Sequence, residues 1–132
     1  MLIDHIAQAA DEARFGDTHA KWGLRPTWGM SQRLPKIVGI SRARELSYTA
    51  RTFSGADAAA WGLAASSHPR ADLDRAVDEL ATTIAGNSRG SLAAYKDLFR
   101  SAMREDVGTG LAYEARARYV IADTEERIAG FR

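Results

Sequence analysis

The run Ala13-Arg14-Phe15-Gly16-Asp17-Thr18-His19, followed by Gly23-Leu24-Arg25-Pro26, then Gly29-Met30-Ser31-Gln32-Arg33-Leu34-Pro35 and Val38-Gly39, decides how this chain is read. The segment from Ala13 to His19 is too short for a helix and carries glycine and turn formers, so it predicts a short strand and a loop. Loops are where binding groups tend to sit. Past Pro26, Thr27 predicts the N-cap of a helix whose first turn is Trp28 to Ser31. Pro35 predicts its break or kink, and Gly39 its end.

Working outward, Leu2 to Ala10 is small and apolar with a few polar residues and predicts a short strand that turns at Asp11-Glu12. On the other side, Ser41 is placed to cap a helix with Ala43, Leu46 and Ala50 as its apolar stripe, turning near Thr52. Ser54-Gly55-Ala56-Asp57 has the spacing of a capping box that opens a short alanine-rich helix, and Gly62 stands where its C-terminal cap belongs. Leu63 to Ser67 predicts one more strand.

The second half is patterned for helices. Leu73, Ala76, Val77, Leu80 and Ile84 recur at helical spacing between an Asp72 cap and a Gly86-Asn87 stop. A helix from about Ser91 sets Leu92, Tyr95, Leu98, Phe99, Ala102 and Met103 on one side, a pattern that reads as core. Gly108 and Gly110 separate it from a last helix, running from Thr109, with Leu111, Ala115, Tyr119 and Ala122 on one side and Glu114 paired with Arg118. No repeat, low-complexity tract or linker interrupts the chain.

At 132 residues the chain fits one ordinary domain, and 45% hydrophobic with 27% charged residues is the balance of a soluble globular protein. Eighteen Lys and Arg are interspersed with seventeen Asp and Glu, so no single-sign field draws in nucleic acid or an anionic membrane. The absence of cysteine excludes disulfides and thiolate metal sites and fits a reducing cytoplasm. Met1-Leu2-Ile3-Asp4-His5 carries no basic n-region before a long apolar stretch, and no apolar run reaches membrane-spanning length. A soluble, unprocessed, cytoplasmic protein is expected.

Motifs for several chemistries fail. Gly29-Met30-Ser31-Gln32-Arg33 begins like a nucleophile elbow, yet Arg33 stands where glycine is required and no strand of the right kind precedes it. His5, His19 and Asp17 have no metal-ligand spacing, so no metal is expected. No glycine-rich phosphate loop is present, and no bound cofactor is expected. Composition and spacing alone stop at a soluble, mostly helical domain.

The opening string is more specific. Ala13-Arg14-Phe15-Gly16, Gly23-Leu24-Arg25-Pro26, Gly29, Ser31-Gln32-Arg33-Leu34-Pro35 and Val38-Gly39 resemble, in register and without gaps, the enoyl-CoA hydratase/isomerase (crotonase) family. Arg44-Glu45-Leu46, Thr49-Ala50-Arg51 and Ala56 to Leu63 continue the similarity, and the helices after Asp72 fall where that family places its C-terminal ones. The resemblance implies an α/β fold, an incomplete crotonase-like ββα spiral dominated by C-terminal helices. Residues 1–70 would hold its last turns and residues 71–132 a helical, trimerisation-type region.

The same resemblance implies an acyl-CoA thioester as substrate, its carbonyl oxygen held by two backbone N–H groups, and two glutamates for hydration. It places the first glutamate and a glycine-rich oxyanion loop before Met1, and an adenine-contacting tail after Arg132. The second glutamate's position is occupied by His19. That histidine is read either as a base for a double-bond shift or thioester hydrolysis, or as a hydrogen-bonded structural residue. Thr27, Trp28 and Gly29 fall where the family's turn approaches the substrate. Trp28 replaces a small residue and either narrows the acyl pocket or fills core space. The chain is thus expected to be weakly active or inactive alone. It would assemble as a trimer or hexamer, join a companion N-terminal half, or persist as a non-catalytic remnant or assembly module.

Overall fold

The computed structural model describes residues 6–130, and the chain divides into two compact units, Met1–Asp78 and Glu79–Arg132. In chain order the elements are β1 (Gln8–Ala10), β2 (Arg14–Phe15), a 3-10 turn (Ala20–Trp22), α1 (Met30–Val38), α2 (Ile40–Thr49), β3 (Phe53–Ser54), α3 (Gly55–Ala60), β4 (Ser66–His68), α4 (Arg70–Ala85), α5 (Arg89–Ala102), α6 (Val107–Arg116) and α7 (Thr124–Ala129). The content is α/β with helices dominant, as the sequence predicts. Among the described residues, no helix is long and apolar enough to cross a membrane.

In the first unit β1 pairs with β4 in parallel, Gln8 opposite Ser66 and Ala10 opposite His68. β2 pairs with β3 antiparallel, Phe15 opposite Phe53. Parallel strands need a long crossover, and here it is everything from β2 to α3. The core forms from Ala9, Leu46, Phe53, Ala58 and Ala64, with Phe15, Trp61 and Leu63 packed against it. Leu46 is 1% exposed, a burial contributing about 2 kcal/mol. Phe53 meets Phe15 at 5.8 Å and Trp61 at 5.1 Å between ring centroids. The Trp61 ring in turn carries the guanidinium of Arg42 at 4.5 Å and that of Arg51 at 5.4 Å, both of which bind Glu45. The cations are therefore held over the indole by their own salt bridges.

The capping box is present: the Ser54 hydroxyl accepts from the Asp57 N–H at 3.0 Å, and the Asp57 carboxylate accepts from the Ser54 N–H at 3.0 Å. Gly62 follows at φ 76°, in the left-handed cap position expected for glycine. The chain passes so close to β1 that a Cβ on Gly55 would lie 1.8 Å from the Ala10 carbonyl oxygen.

Several predicted boundaries move, each for a local reason. The part of the first predicted strand at Leu2 to His5 lies outside the described residues. The strand predicted at Leu63 to Ser67 starts only at Ser66, because the N–H groups of Leu63 and Ala64 turn back to the Ala58 carbonyl at 2.8 and 3.1 Å. Ser41 does not cap α2; the helix starts two residues earlier than such a cap implies, at Ile40, with Gly39 as its cap. Pro35 lies inside α1 without ending it. The carbonyl its missing N–H leaves free, that of Ser31, is on an exposed residue where water can reach it. Asp72 does not cap α4 either. The helix begins at Arg70, whose N–H donates to the Glu12 carboxylate at 3.1 Å, so the acid after β1 serves the helix N-terminus from a distance.

In the second unit Ser88 caps α5 and Asp106 caps α6 by accepting the N–H groups of Ser91 and Thr109. The Ser88 hydroxyl also donates to Asp123. Asp97 on α5 accepts both the Tyr113 and the Tyr119 hydroxyls at 2.7 Å. A Cβ on Gly90 would approach the Val120 carbonyl oxygen to 2.7 Å. The predicted core face of α5 is only partly core: Ala94 is buried, while Tyr95 and Phe99 stand 57% and 63% exposed. The last predicted helix starts earlier, at Val107, and ends at Arg116, so Tyr119 and Ala122 lie outside it, and a separate α7 begins at Thr124. Arg118, past the helix end, donates to the carbonyls of Ala115, Arg116 and Ala117, so the expected pairing with Glu114 is replaced.

Candidate acid–base site around His19

The loop leaving β2 brings Asp17 and His19 together. Two residues apart on a non-helical backbone, they point to the same side, and Asp17 Oδ1 accepts from His19 Nδ1 at 2.6 Å and from the His19 backbone N–H at 3.3 Å. The other carboxylate oxygen accepts the Ser47 hydroxyl of α2 at 2.7 Å. On the far side of the ring, Thr27 Oγ1 lies 3.2 Å from Nε2. The Asp17 and His19 side chains are 5% and 13% exposed.

Burial pushes the Asp17 carboxyl up, but the hydrogen bonds from Ser47 and then His19 outweigh it and hold the group below its ordinary value. An ionised carboxylate only accepts, so His19 Nδ1 carries the proton. In the neutral ring Nε2 is then an acceptor, and the Thr27 hydroxyl donates to it. The array runs Ser47, Asp17, His19, Thr27, each hydrogen bond fixing the direction of the next. Such an array can take a proton at Nε2 while the carboxylate steadies the imidazolium that results.

Thr27 therefore serves the histidine and not a helix N-terminus as predicted. Its backbone carbonyl accepts the Met30 N–H at 3.0 Å, closing a turn whose central residues Trp28 and Gly29 have φ of 53° and 76°. Glycine takes this region freely, whereas tryptophan there costs about 1–2 kcal/mol. Gly29 is the N-cap of α1, so the helix starts at Met30 and not at Trp28. Trp28 fills no core space: it is 84% exposed, with its ring 5.7 Å from that of His19.

Two cavities flank the array. One of about 420 Å³ is lined by Asp17, His19, Leu24, Met30, Leu34 and Tyr48 among others, and one of about 260 Å³ by Asp17, Trp28, Met30, Leu34 and Leu46 among others. Both are mainly apolar with few polar groups, the character of small-molecule sites. The structure thus brings His19, Thr27, Trp28 and Gly29 into one turn-and-loop cluster. Asp17 and Ser47 are the members that sequence reasoning missed as a support for His19. The Asp-x-His spacing is a signal for the first, but nothing local marks Ser47. His5, named with them as a possible ligand, lies outside the described residues. Among the described residues no group of three or more His, Cys, Asp and Glu is placed to hold a metal.

The sequence model of the enoyl-CoA hydratase/isomerase family matches residues 1–132. The chain belongs to the enoyl-CoA hydratase/isomerase family. It is 34% identical over 130 residues to the probable enoyl-CoA hydratase echA8 of Mycobacterium tuberculosis, covering 98% of this chain and 50% of that one. It is 30% identical over 122 residues to a short-chain-enoyl-CoA hydratase of Clostridium acetobutylicum, covering 92% of this chain and 47% of that one. The chain spans about half the length of each of these two relatives. Among solved structures, the enoyl-CoA hydratase from Bacillus anthracis superposes with a TM-score of 0.79 at 33% identity, over 83% of this chain and 42% of that one. A Thermobifida fusca YX protein solved in complex with CoA gives a TM-score of 0.76 at 32% identity, over 96% and 47%. The crotonase-like fold inferred from the opening string is the fold of this family's solved members.

Proposed function

We propose that this chain supplies the His19 side of an acyl-CoA thioester site of the enoyl-CoA hydratase/isomerase type, working in fatty-acid metabolism in the cytoplasm. The observation that carries this reading is the Asp17–His19 pair, hydrogen-bonded at 2.6 Å and facing a cavity of about 420 Å³, at the place where the family resemblance calls for a glutamate. An Asp-supported imidazole does the work asked of that glutamate, accepting a proton from carbon or water at Nε2 and returning it. The names of the relatives and the CoA-bound neighbour support an acyl-CoA ligand. Trp28 and Gly29 border the thioester in this reading, the indole narrowing the acyl end.

The resemblance places the first glutamate and the oxyanion donors before Met1, and His19 stands at the position of the second glutamate. Loss of a single oxyanion donor costs roughly 100- to 1,000-fold in rate. The chain by itself is therefore expected to hydrate enoyl-CoA weakly or not at all, and to reach full activity in a trimer, a hexamer or a complex with a companion half. A second reading, a non-catalytic assembly module, is favoured by the apolar side chains left uncovered on the second unit, Tyr95, Phe99 and Leu111.

The test is calorimetric titration of the folded chain with a short enoyl-CoA, alongside a hydration assay on wild type and His19→Ala. Binding by both forms is the expected result, with the weak hydration by the wild type, where it is detected, lost in His19→Ala. An assembled chain that neither binds the thioester nor responds to the His19 substitution overturns the enzymatic reading in favour of the assembly module.

A further inference from the structure

Both nitrogens of the His19 ring are already engaged, Nδ1 by Asp17 and Nε2 by Thr27. The hydroxyl that meets His19 Nε2 within the chain itself is that of Thr27. We infer that Thr27 is a nucleophile, and that the Asp17–His19–Thr27 array performs acyl transfer from a carboxylic thioester or activated ester. The inference rests on the reading of His19 as an acid–base group and goes beyond it, because it changes the reaction from addition at a double bond to cleavage at the carbonyl.

Three observations carry it. First, the order of groups is that of an activated nucleophile: a hydroxyl on a histidine, the histidine on a carboxylate, and the carboxylate fixed in turn by Ser47 at 2.7 Å. The 3.2 Å separation of Thr27 Oγ1 and Nε2 is the loose contact such pairs show before substrate tightens them. Second, Thr27 is half-buried, bonded to His19, which lines the larger cavity, and flanked in sequence by Pro26, which lines the same cavity, and Trp28, which lines the smaller one. Third, the residue after it is held in a left-handed conformation that tryptophan disfavours, the kind of retained backbone strain that concentrates at working sites.

The step balances without any further reactant than water. Thr27 Oγ attacks the carbonyl carbon, forming a C–O bond as its proton passes to His19 Nε2. The C–S or C–O bond to the leaving group then breaks, and that group departs with the proton from Nε2. Water attacks the acyl-threonine ester, giving its proton to Nε2. The ester C–O bond breaks and Thr27 Oγ recovers the proton, leaving a carboxylic acid and a free hydroxyl. Asp17 and Ser47 are positioning residues in this scheme.

The test uses the whole chain with 4-nitrophenyl acetate and, separately, acetyl-CoA, reading released nitrophenolate or thiol and mapping the acylated residue by mass spectrometry. The variants are Thr27→Val, Thr27→Ser, His19→Ala and Asp17→Asn, each checked for folding by circular dichroism. The expected result is an acyl group on Thr27, lost in Thr27→Val and His19→Ala and retained in Thr27→Ser. The acylation rate should fall at least ~100-fold in Thr27→Val, and its pH profile should shift in Asp17→Asn. Acylation found on His19 at an unchanged rate in Thr27→Val overturns the nucleophile and leaves His19 as the acid–base group. No acylation of the folded wild-type chain also overturns it. The reading of His19 itself fails only if enoyl-CoA turnover and binding are indifferent to His19→Ala as well.

Discussion

The Asp17 carboxylate and the Ser47 hydroxyl meet at 2.7 Å across thirty positions of sequence, tying the loop after β2 to the last turn of α2. Because Asp17 also accepts two bonds from His19, its charge is favoured by folding, and its carboxyl lies below the ordinary value. Asp17→Asn is expected to lower stability at neutral pH by about 2 kcal/mol, the scale of hydrogen bonds to a charged group. The sign of the pH dependence follows. As pH falls through the ordinary aspartate range, roughly pH 4, the unfolded chain takes up the proton first. The wild type therefore loses this stabilisation from there downward, and all of it below the folded value. Urea titrations between neutral and acid pH should show the wild-type advantage over Asp17→Asn closing in that window.

Trp28 and Ala50 are the non-glycine residues at positive φ among the described residues, at 53° and 48°. Glycine at either place relieves strain but adds freedom to the unfolded chain, and the balance is a gain of about 0.5–1 kcal/mol. Thermal unfolding of Trp28→Gly and Ala50→Gly should show both above wild type. If Trp28→Gly gains stability and loses acylation, the strain serves the site.

Three glycines should respond differently to alanine. Gly55→Ala places a methyl group 1.8 Å from the Ala10 carbonyl oxygen and Gly90→Ala one 2.7 Å from that of Val120. The partner in each case is backbone, so a loss of about 3 kcal/mol is expected in each. Gly110, inside α6, has nothing within 4 Å of its added Cβ, and Gly110→Ala should stabilise by about 0.5–1 kcal/mol. Denaturant midpoints of the three variants test the order.

The two hydroxyls on Asp97 give a spectroscopic prediction. The hydrogen bond to that carboxylate pushes Tyr119 up to about 12, and the same bond raises Tyr113. Ultraviolet titration of tyrosinate should show both ionising late, and Asp97→Asn should bring them back toward the ordinary value. Since the folded value exceeds the unfolded one, the contribution of this cluster is complete below the ordinary tyrosine range. It is lost as pH rises through about 12.

What the sequence discloses is chiefly what is local. The Ser54–Asp57 capping box and the Gly62 cap depend on residues a turn apart, and both stand as read. The family is legible because its string from Ala13 to Gly39 is contiguous. Illegible features need partners far along the chain: Glu12 serving Arg70, and the Ala58 carbonyl that delays β4 by claiming Leu63 and Ala64. His19 is marked by its register in the family string, but its support is not, since Ser47 is a remote residue whose type is common on any helix surface. Thr27 reads as a cap because threonine before an apolar turn is the ordinary signal for one, and the turn at Trp28-Gly29 takes the helix start two residues on. The α5 stripe shows the limit of periodicity, which marks one face of a helix without saying whether this chain covers it.

The parallel pairing of β1 with β4 also bears on how the chain is made. Gln8 and Ser66, whose side chains meet at 2.6 Å, are 58 positions apart. At roughly 5–20 residues per second of synthesis, the first strand waits about 3–12 s before its partner has even been added. During that interval its hydrogen-bonding edge has no native neighbour. A nascent chain of this sequence is therefore most exposed to mispairing just before His68 is added, and a ribosome stalled there should yield aggregates that one stalled well after α4 does not.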